Sequence, residues 1–80
     1  MTVAERVKQV TARMLKVDIS DITDASHFVR DLGAESIQSI ELVAAFEEEF
    51  DIEMDQDEAL SVQSVGHAVT YIEAVIAEQK

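Results

Sequence analysis

The sequence predicts an all-α protein: a small four-helix bundle with three main helices, a short third helix and a long first loop. Three observations lead to this prediction. The apolar residues recur at helical spacing, the chain contains no proline, and it contains only two glycines, so little interrupts a helix. The 80 residues show no internal repeat and are enough for one domain, which we expect to span residues 1–80.

The first helix is expected to begin at Thr2 and to end near Lys16. Thr2 and Glu5 have the spacing of a capping box, in which each side chain bonds to the backbone N–H of the other residue. A lysine suits the C-terminal end of the helix because a cation interacts favourably with the helix dipole there. The inward stripe should consist of four apolar residues, namely Val3, Val7, Val10 and Met14.

A long connection, residues 17–35, follows the first helix. A structureless loop of this length is uncommon in a small domain, so we expect apolar residues to anchor it over the core. Gly33 can adopt backbone angles that other residues resist and is expected to turn the chain toward the second helix. The expected anchors are Ile19, Ile22, Phe28 and Leu32.

Three further helices are expected in the second half of the chain. The second helix should run from Ser36 to Phe50. Asp55 and Glu58 again have capping-box spacing and predict a short helix over residues 56–60. Ser64 can cap the last helix. The inward residues of that last helix should be Val65, Ala68, Val69, Ile72, Val75 and Ile76.

The second helix carries two distinct faces at 100° per residue. Its core stripe should contain Leu42, Val43, Phe46 and Phe50, with Ser39 among them. Single exposed apolar residues are ordinary on a protein surface, but two of them among three glutamates indicate a binding patch with an apolar centre and an acidic rim. This second face contains Ile37, Ile40, Glu41, Ala44, Glu47 and Glu48.

Charge is distributed unevenly along the chain. Residues 1–30 carry five Lys or Arg and four Asp or Glu, whereas residues 31–79 carry thirteen Asp or Glu and no base. Nucleic acid is therefore not an expected partner, since phosphate contacts require Lys and Arg. A protein partner with a basic surface is favoured, and the alternative is an acidic face that only maintains solubility.

The sequence also bears on location and assembly. It lacks cysteine, as is common in reducing compartments, and no apolar run approaches the ~20 residues of a membrane span. The amphipathic N-terminus differs from the basic and then apolar pattern of a signal peptide. We therefore expect a cytoplasmic monomer.

No metal site is expected. His27 and His67 lie far apart in the sequence, and neither has a second His or Cys at ligand spacing. The carboxylates from Asp51 onward resemble the start of a calcium loop. The sixth position, however, is Gln56 where the EF-hand needs glycine, and the twelfth is Val62 where it needs glutamate.

Ser36 stands where an acidic loop meets the second helix. The ordinary interpretation of a serine at this position is an N-cap. Its hydroxyl is expected to be exposed, surrounded by carboxylates and without a neighbouring base, so a hydrolase that uses Ser36 as nucleophile is disfavoured. These surroundings suit a serine that another enzyme modifies.

The chain resembles acyl carrier proteins over nearly its whole length. The resemblance runs from the first helix through DLGAESIQSIELVAAFEEEFDIEM to SVGHAVTYI, and the family has a closely similar Asp-Leu-Gly-x-Asp-Ser-Leu segment before an acidic helix. It implies that Ser36 bears 4′-phosphopantetheine, attached by a separate transferase that uses coenzyme A. The thiol of that arm would carry acyl groups as thioesters, and the protein would have no catalytic residues.

The resemblance also implies roles for particular side chains. Four glutamates would meet basic residues of acyl-processing enzymes, with three apolar residues packing beneath them: Glu35, Glu41, Glu47 and Glu48, with Ile37, Ile40 and Ala44. Six residues would shelter an acyl chain between the helices, although all of them could equally be plain core: Phe28, Phe46, Met54, Ala59, Val62 and Ala68.

The expected function is therefore delivery of acyl intermediates to enzymes of fatty-acid, lipid or polyketide synthesis. The chain departs from the family pattern at Glu35-Ser36-Ile37, in place of Asp-Ser-Leu, and at Phe46, where an aliphatic residue is common. These departures leave open a specialised carrier as well as the housekeeping one. The alternative function is an unmodified acidic helical adaptor that binds basic proteins through the same face.

Overall fold

Four α-helices follow one another in the computed structural model, which describes residues 1–80. They are α1 (Val3–Leu15), α2 (Ser36–Phe50), α3 (Gln56–Ser61) and α4 (Val65–Gln79). One turn of 3-10 helix, Ile19–Asp21, interrupts the long first loop. α1 packs against α2 and α4, and the short α3 packs against α2. The predicted all-α class and the order of the helices are confirmed.

The helix ends follow local signals in the sequence. Thr2 and Glu5 form the predicted capping box, each accepting the other's backbone N–H at 3.1 Å, and the bond from the Thr2 N–H lowers the pKa of the Glu5 carboxyl group. At the other end of α1, Lys16 adopts the left-handed conformation. Ser64 caps α4 as predicted, accepting the N–H of His67 at 3.2 Å. Short-range capping is therefore enough to place most of these helix ends.

The core lies where the helix stripes converge. Val7 and Val10 of α1 are fully buried as predicted, while Val3 and Met14 pack against the core from its edge. Thr11, which the apolar pattern does not indicate, is also fully buried because its hydroxyl donates to the Val7 carbonyl at 2.8 Å. The buried apolar residues are Val7, Val10, Ile22, Phe28, Ala34, Leu42, Phe46, Phe50, Ile52, Val65, Ala68, Ile72 and Val75.

The long first loop is held by backbone pairing as well as by apolar anchors. The Phe28 N–H donates to the Gln63 carbonyl and the Val65 N–H donates to the Ser26 carbonyl, both at 2.9 Å. Ile22 and Phe28 are buried as predicted. The prediction that Ile19 is an anchor is wrong: 43% of it is exposed, because it belongs to a 3-10 turn that buries none of its residues.

Gly66 allows this loop to approach the start of α4. Its N–H donates to the Asp24 carbonyl at 2.8 Å, and a β-carbon at Gly66 would lie 3.0 Å from that same oxygen. Glycine is unfavourable inside a helix, so its presence needs a reason of this kind. Close contact between two backbones provides that reason.

Arg6 joins α1 to the C-terminal end of α2. Its Nε donates to the Glu49 carboxylate at 2.9 Å, and its Nη2 donates to the Glu49 carbonyl at 2.7 Å. The guanidinium also lies 4.5 Å from the centre of the Phe50 ring. The Arg6 guanidinium thus contacts the Glu49 carboxylate, the Glu49 carbonyl in the last turn of α2 and the ring of Phe50.

We expect Arg6→Ala to lower the free energy of unfolding by about 2 kcal/mol, because it removes two charge-assisted hydrogen bonds and the ring contact. Chemical denaturation of the two proteins measures this difference. Arg13→Ala is the matched control, because Arg13 is exposed on the same helix and forms no ion pair. An equal loss of unfolding free energy in both variants would show that the effect comes from the change in net charge and not from the contacts of Arg6.

Candidate functional site

The end of the first loop sets the direction in which α2 begins. Gly33 has a positive φ of 75°, and its N–H donates to the Val29 carbonyl at 3.0 Å. The next residue, Ala34, is buried, and its N–H donates to the Phe28 carbonyl at 2.9 Å. The backbone is therefore fixed immediately before Ser36.

Ser36 is the first residue of α2 and is exposed. The interpretation of Ser36 as an N-cap is wrong: the N-cap is Glu35, whose backbone N–H is accepted by the Gln38 side chain at 2.9 Å. The Glu35 carbonyl in turn accepts the Ser39 N–H at 2.9 Å. The Ser36 hydroxyl takes no part in this cap, forms no hydrogen bond within the protein and is exposed to solvent.

The second face of α2 is exposed along most of its length. Ile37 is 67% exposed and Ile40 is 47% exposed. Glu41 and Glu48 are also exposed and form no ion pair within the protein. Ala44 lies exposed on the same face, and Glu35 is exposed at its N-terminal end. We call this surface, formed by Glu35, Ile37, Ile40, Glu41, Ala44 and Glu48, the acidic face.

Two of the three consecutive glutamates of α2 already have partners. Glu49 is half-buried in its ion pair with Arg6. Glu47 is also half-buried, and its Oε2 accepts the backbone N–H of Met54 at 2.8 Å. Helical geometry placed both Glu47 and Glu48 on the second face, but only Glu48 is free, and Glu47 lies at the edge of the acidic face.

A cavity of about 160 Å³ lies between α2, α3, α4 and the first loop. The six residues expected to surround an acyl chain all line it: Phe28, Phe46, Met54, Ala59, Val62 and Ala68. Val29 is 53% exposed and Leu60 is 39% exposed, so these two residues stand at its opening. Sequence periodicity missed both, because one lies in a loop and the other in a helix of six residues.

Ser39 and Val43 of α2 also line the cavity. They follow Ser36 by three and seven residues, so all three positions lie along one side of the helix. The Ser36 position therefore lies on the side of α2 that leads to the cavity.

A few polar side chains border this apolar cavity. Nδ1 of His27 accepts the Arg30 N–H at 3.0 Å, so the imidazole is fixed in the loop. Burial, followed by the nearby carboxylates of Glu58 and Asp55, raises the pKa of Tyr71. Its hydroxyl is therefore protonated throughout the neutral range.

No three His, Cys, Asp or Glu side chains lie close enough together to hold a metal ion. None of the helices combines the length and the apolar character needed to cross a membrane.

Comparison with known proteins identifies a family and a similar protein that each match most of the chain. Residues 5–72 match the family described as a phosphopantetheine attachment site. A protein of Clostridium acetobutylicum named acyl carrier protein is 50% identical to this chain over 72 residues, which cover 90% of the chain and 94% of that relative. Both matches include the start of α2 and most of the bundle.

Proposed function

Because the chain belongs to the acyl carrier protein family, whose members carry phosphopantetheine and are not enzymes, we propose that Ser36 is the attachment point of 4′-phosphopantetheine. The observation that supports this proposal is the exposed Ser36 hydroxyl at the first position of α2, free of any hydrogen bond within the protein. When bound, the arm supplies a terminal thiol, which this cysteine-free chain lacks, for carrying an acyl group as a thioester.

The start of α2 fits a serine phosphodiester. The N-terminal end of a helix carries partial positive charge and unpaired N–H groups, both of which favour an anion. No acidic side chain occupies the first turn of α2, so a phosphate there meets no carboxylate within that turn. The Ser36 hydroxyl can react without breaking a cap, because Glu35 and Gln38 form the cap independently of it.

The acidic face supplies the recognition surface in this proposal. Glu41 and Glu48 are exposed and unpaired, so Lys or Arg of a partner enzyme can reach them without displacing an internal partner. Ile37, Ile40 and Ala44 offer apolar contact between them. Such a surface favours fast and selective association over tight binding, which suits a carrier that visits several enzymes in turn.

The cavity supplies shelter for the cargo. Its volume of about 160 Å³ is close to that of an engineered apolar cavity of ~150 Å³ that accepts benzene, a six-carbon ligand. An acyl chain of about six carbons therefore fills it without repacking. We propose a monomeric cytoplasmic carrier that serves fatty-acid, lipid or polyketide synthesis.

We expect a hexanoyl cargo to stabilise the fold by about 2 kcal/mol relative to an acetyl cargo, because its extra methylenes contribute up to about 0.8 kcal/mol each when buried. Chemical denaturation of the two loaded forms measures the difference. Ala59→Leu fills part of the cavity and should reduce the gain, whereas Ala77→Leu on the exposed side of α4 should not. Equal stability of the acetyl and hexanoyl forms would contradict shelter in this cavity.

The attachment is tested by the intact mass of the protein. The purified chain is incubated with coenzyme A, Mg²⁺ and a broad-specificity phosphopantetheinyl transferase. Its mass should increase by one phosphopantetheine. An unchanged mass with several transferases would contradict the proposal and favour the unmodified acidic adaptor.

A further inference from the structure

The Glu47 side chain connects α2 to the segment that leads into α3. Its Oε2 accepts the Met54 N–H at 2.8 Å, and both residues are half-buried. Met54 lines the cavity and lies two residues before the first residue of α3, Gln56. One carboxylate at the edge of the acidic face therefore touches the wall of the cavity.

The α3 helix itself is weakly anchored. It has six residues, none of them buried, although Ala59 and Leu60 form part of the cavity wall. A helix of this length is not stable alone and depends on the contacts that position its ends. Its position over the cavity therefore depends on its packing against α2 and on the chain segment that enters it.

Few bonds hold that entering segment, residues 51–55. Ile52 is buried, and its N–H donates to the Glu47 carbonyl at 3.1 Å. Glu53 is held by the Gln79 side chain through bonds of 2.6 and 3.0 Å, and both residues are exposed. The Met54 N–H has the Glu47 carboxylate as its only partner. Loss of this bond would free the part of the segment closest to the cavity.

The same carboxylate is attractive to a basic partner. Glu47 is next to the exposed Glu48, and the helix offers no base to either of them in its last turn. A guanidinium or ammonium group forms a stronger hydrogen bond with a carboxylate than a neutral amide does. A Lys or Arg brought to Glu48 can therefore compete with the Met54 N–H for Glu47.

We propose that Glu47 is a positioning residue that ties the wall of the cavity to the acidic face. In the free protein its carboxylate holds Met54 and the start of α3 over the cavity. When a basic side chain of a partner takes this carboxylate, Met54 is released and the wall loosens, so that docking itself opens the shelter. The first half of this proposal stands on the geometry alone, and the second half rests on the proposed docking function.

The first half is tested by hydrogen exchange of the Met54 amide, followed by NMR in the unmodified protein. Glu47→Ala removes the acceptor and should speed exchange at least about tenfold, whereas Glu47→Gln keeps an oxygen acceptor and should stay within about threefold of the parent. Glu48→Ala, an exposed neighbour without a bond, is the control and should leave the rate unchanged. An unchanged rate in Glu47→Ala would overturn the proposal.

The second half is tested by adding a hexa-arginine peptide to the same proteins. The Met54 exchange rate is compared with that of Asp57, which lies three residues further along the same acidic stretch and has no bond to Glu47. The ratio of the Met54 rate to the Asp57 rate should rise at least about threefold in the parent when the peptide is added. In Glu47→Ala this ratio should stay constant, because no bond remains to be displaced. A constant ratio in the parent would refute the competition. Both measurements use unmodified protein, so they are independent of whether Ser36 is loaded.

Discussion

Ser36→Ala should receive no phosphopantetheine while folding as well as the parent protein. Loading should be lost completely, because the reacting hydroxyl is removed and the proposal requires this one oxygen. The fold should not suffer, since the Ser36 side chain is exposed and forms no hydrogen bond. Alanine also favours the helix at least as well as serine, so the free energy of unfolding should change by less than about 0.5 kcal/mol.

Intact mass after incubation with coenzyme A and a transferase measures the loading, and thermal unfolding measures the fold. Ser39→Ala is the matched control, one turn further along α2, where the hydroxyl donates to the Glu35 carbonyl at 3.3 Å. It should be loaded fully. A mass increase in Ser36→Ala would move the attachment to another residue, and an unfolded Ser36→Ala would mean that the serine has a structural role.

The double variant Glu41→Lys, Glu48→Lys should lower kcat/KM for loading by the transferase about 30-fold. These two carboxylates are exposed, unpaired and on the same face as Ile37 and Ile40, so their reversal replaces attraction to a basic partner with repulsion. Complementary charge raises association rates by one or more orders of magnitude, and the estimate of about 30-fold follows from that range. The loss should appear mainly in KM and should shrink as salt is added, because salt screens exposed charges.

Glu73→Lys, Glu78→Lys is the matched control for this charge reversal. Both residues are exposed on α4 and form no ion pair, so the control changes net charge by the same amount at a different surface. Steady-state loading kinetics should place the control within about threefold of the parent. If the two double variants lose activity equally, net charge and not the acidic face governs recognition.

Most helix ends could be predicted from the sequence because caps act over very few residues. Thr2 and Glu5 bond across three positions, as do Ser64 and His67, and these pairs can be read directly along the chain. The failure at Ile19 has the opposite origin. The exposure of Ile19 depends on a single 3-10 turn, and the periodicity of apolar residues does not describe a turn of three residues.

The candidate site was predictable to a different degree in each of its parts. The exposure of Ile37, Ile40, Glu41 and Glu48 follows from helical geometry, and the structure confirms it. Their role in docking stays a prediction. The cavity lining was expected only through the family resemblance, because a buried Phe or Ala has the same pattern whether it borders a void or fills one.

The order of the amino acids alone predicts the four helices, the buried faces of α1, α2 and α4, and the exposed serine at the start of α2. These features depend on hydrogen bonds and spacings within about four residues, so the order of the amino acids contains them. Tertiary structure alone decided which carboxylates remain free. Glu49 meets Arg6 across 43 positions and Glu47 meets Met54 across seven, whereas helical geometry placed Glu47 on the same exposed face as Glu48. Such contacts exist only once the helices pack, because packing brings distant groups within hydrogen-bonding distance.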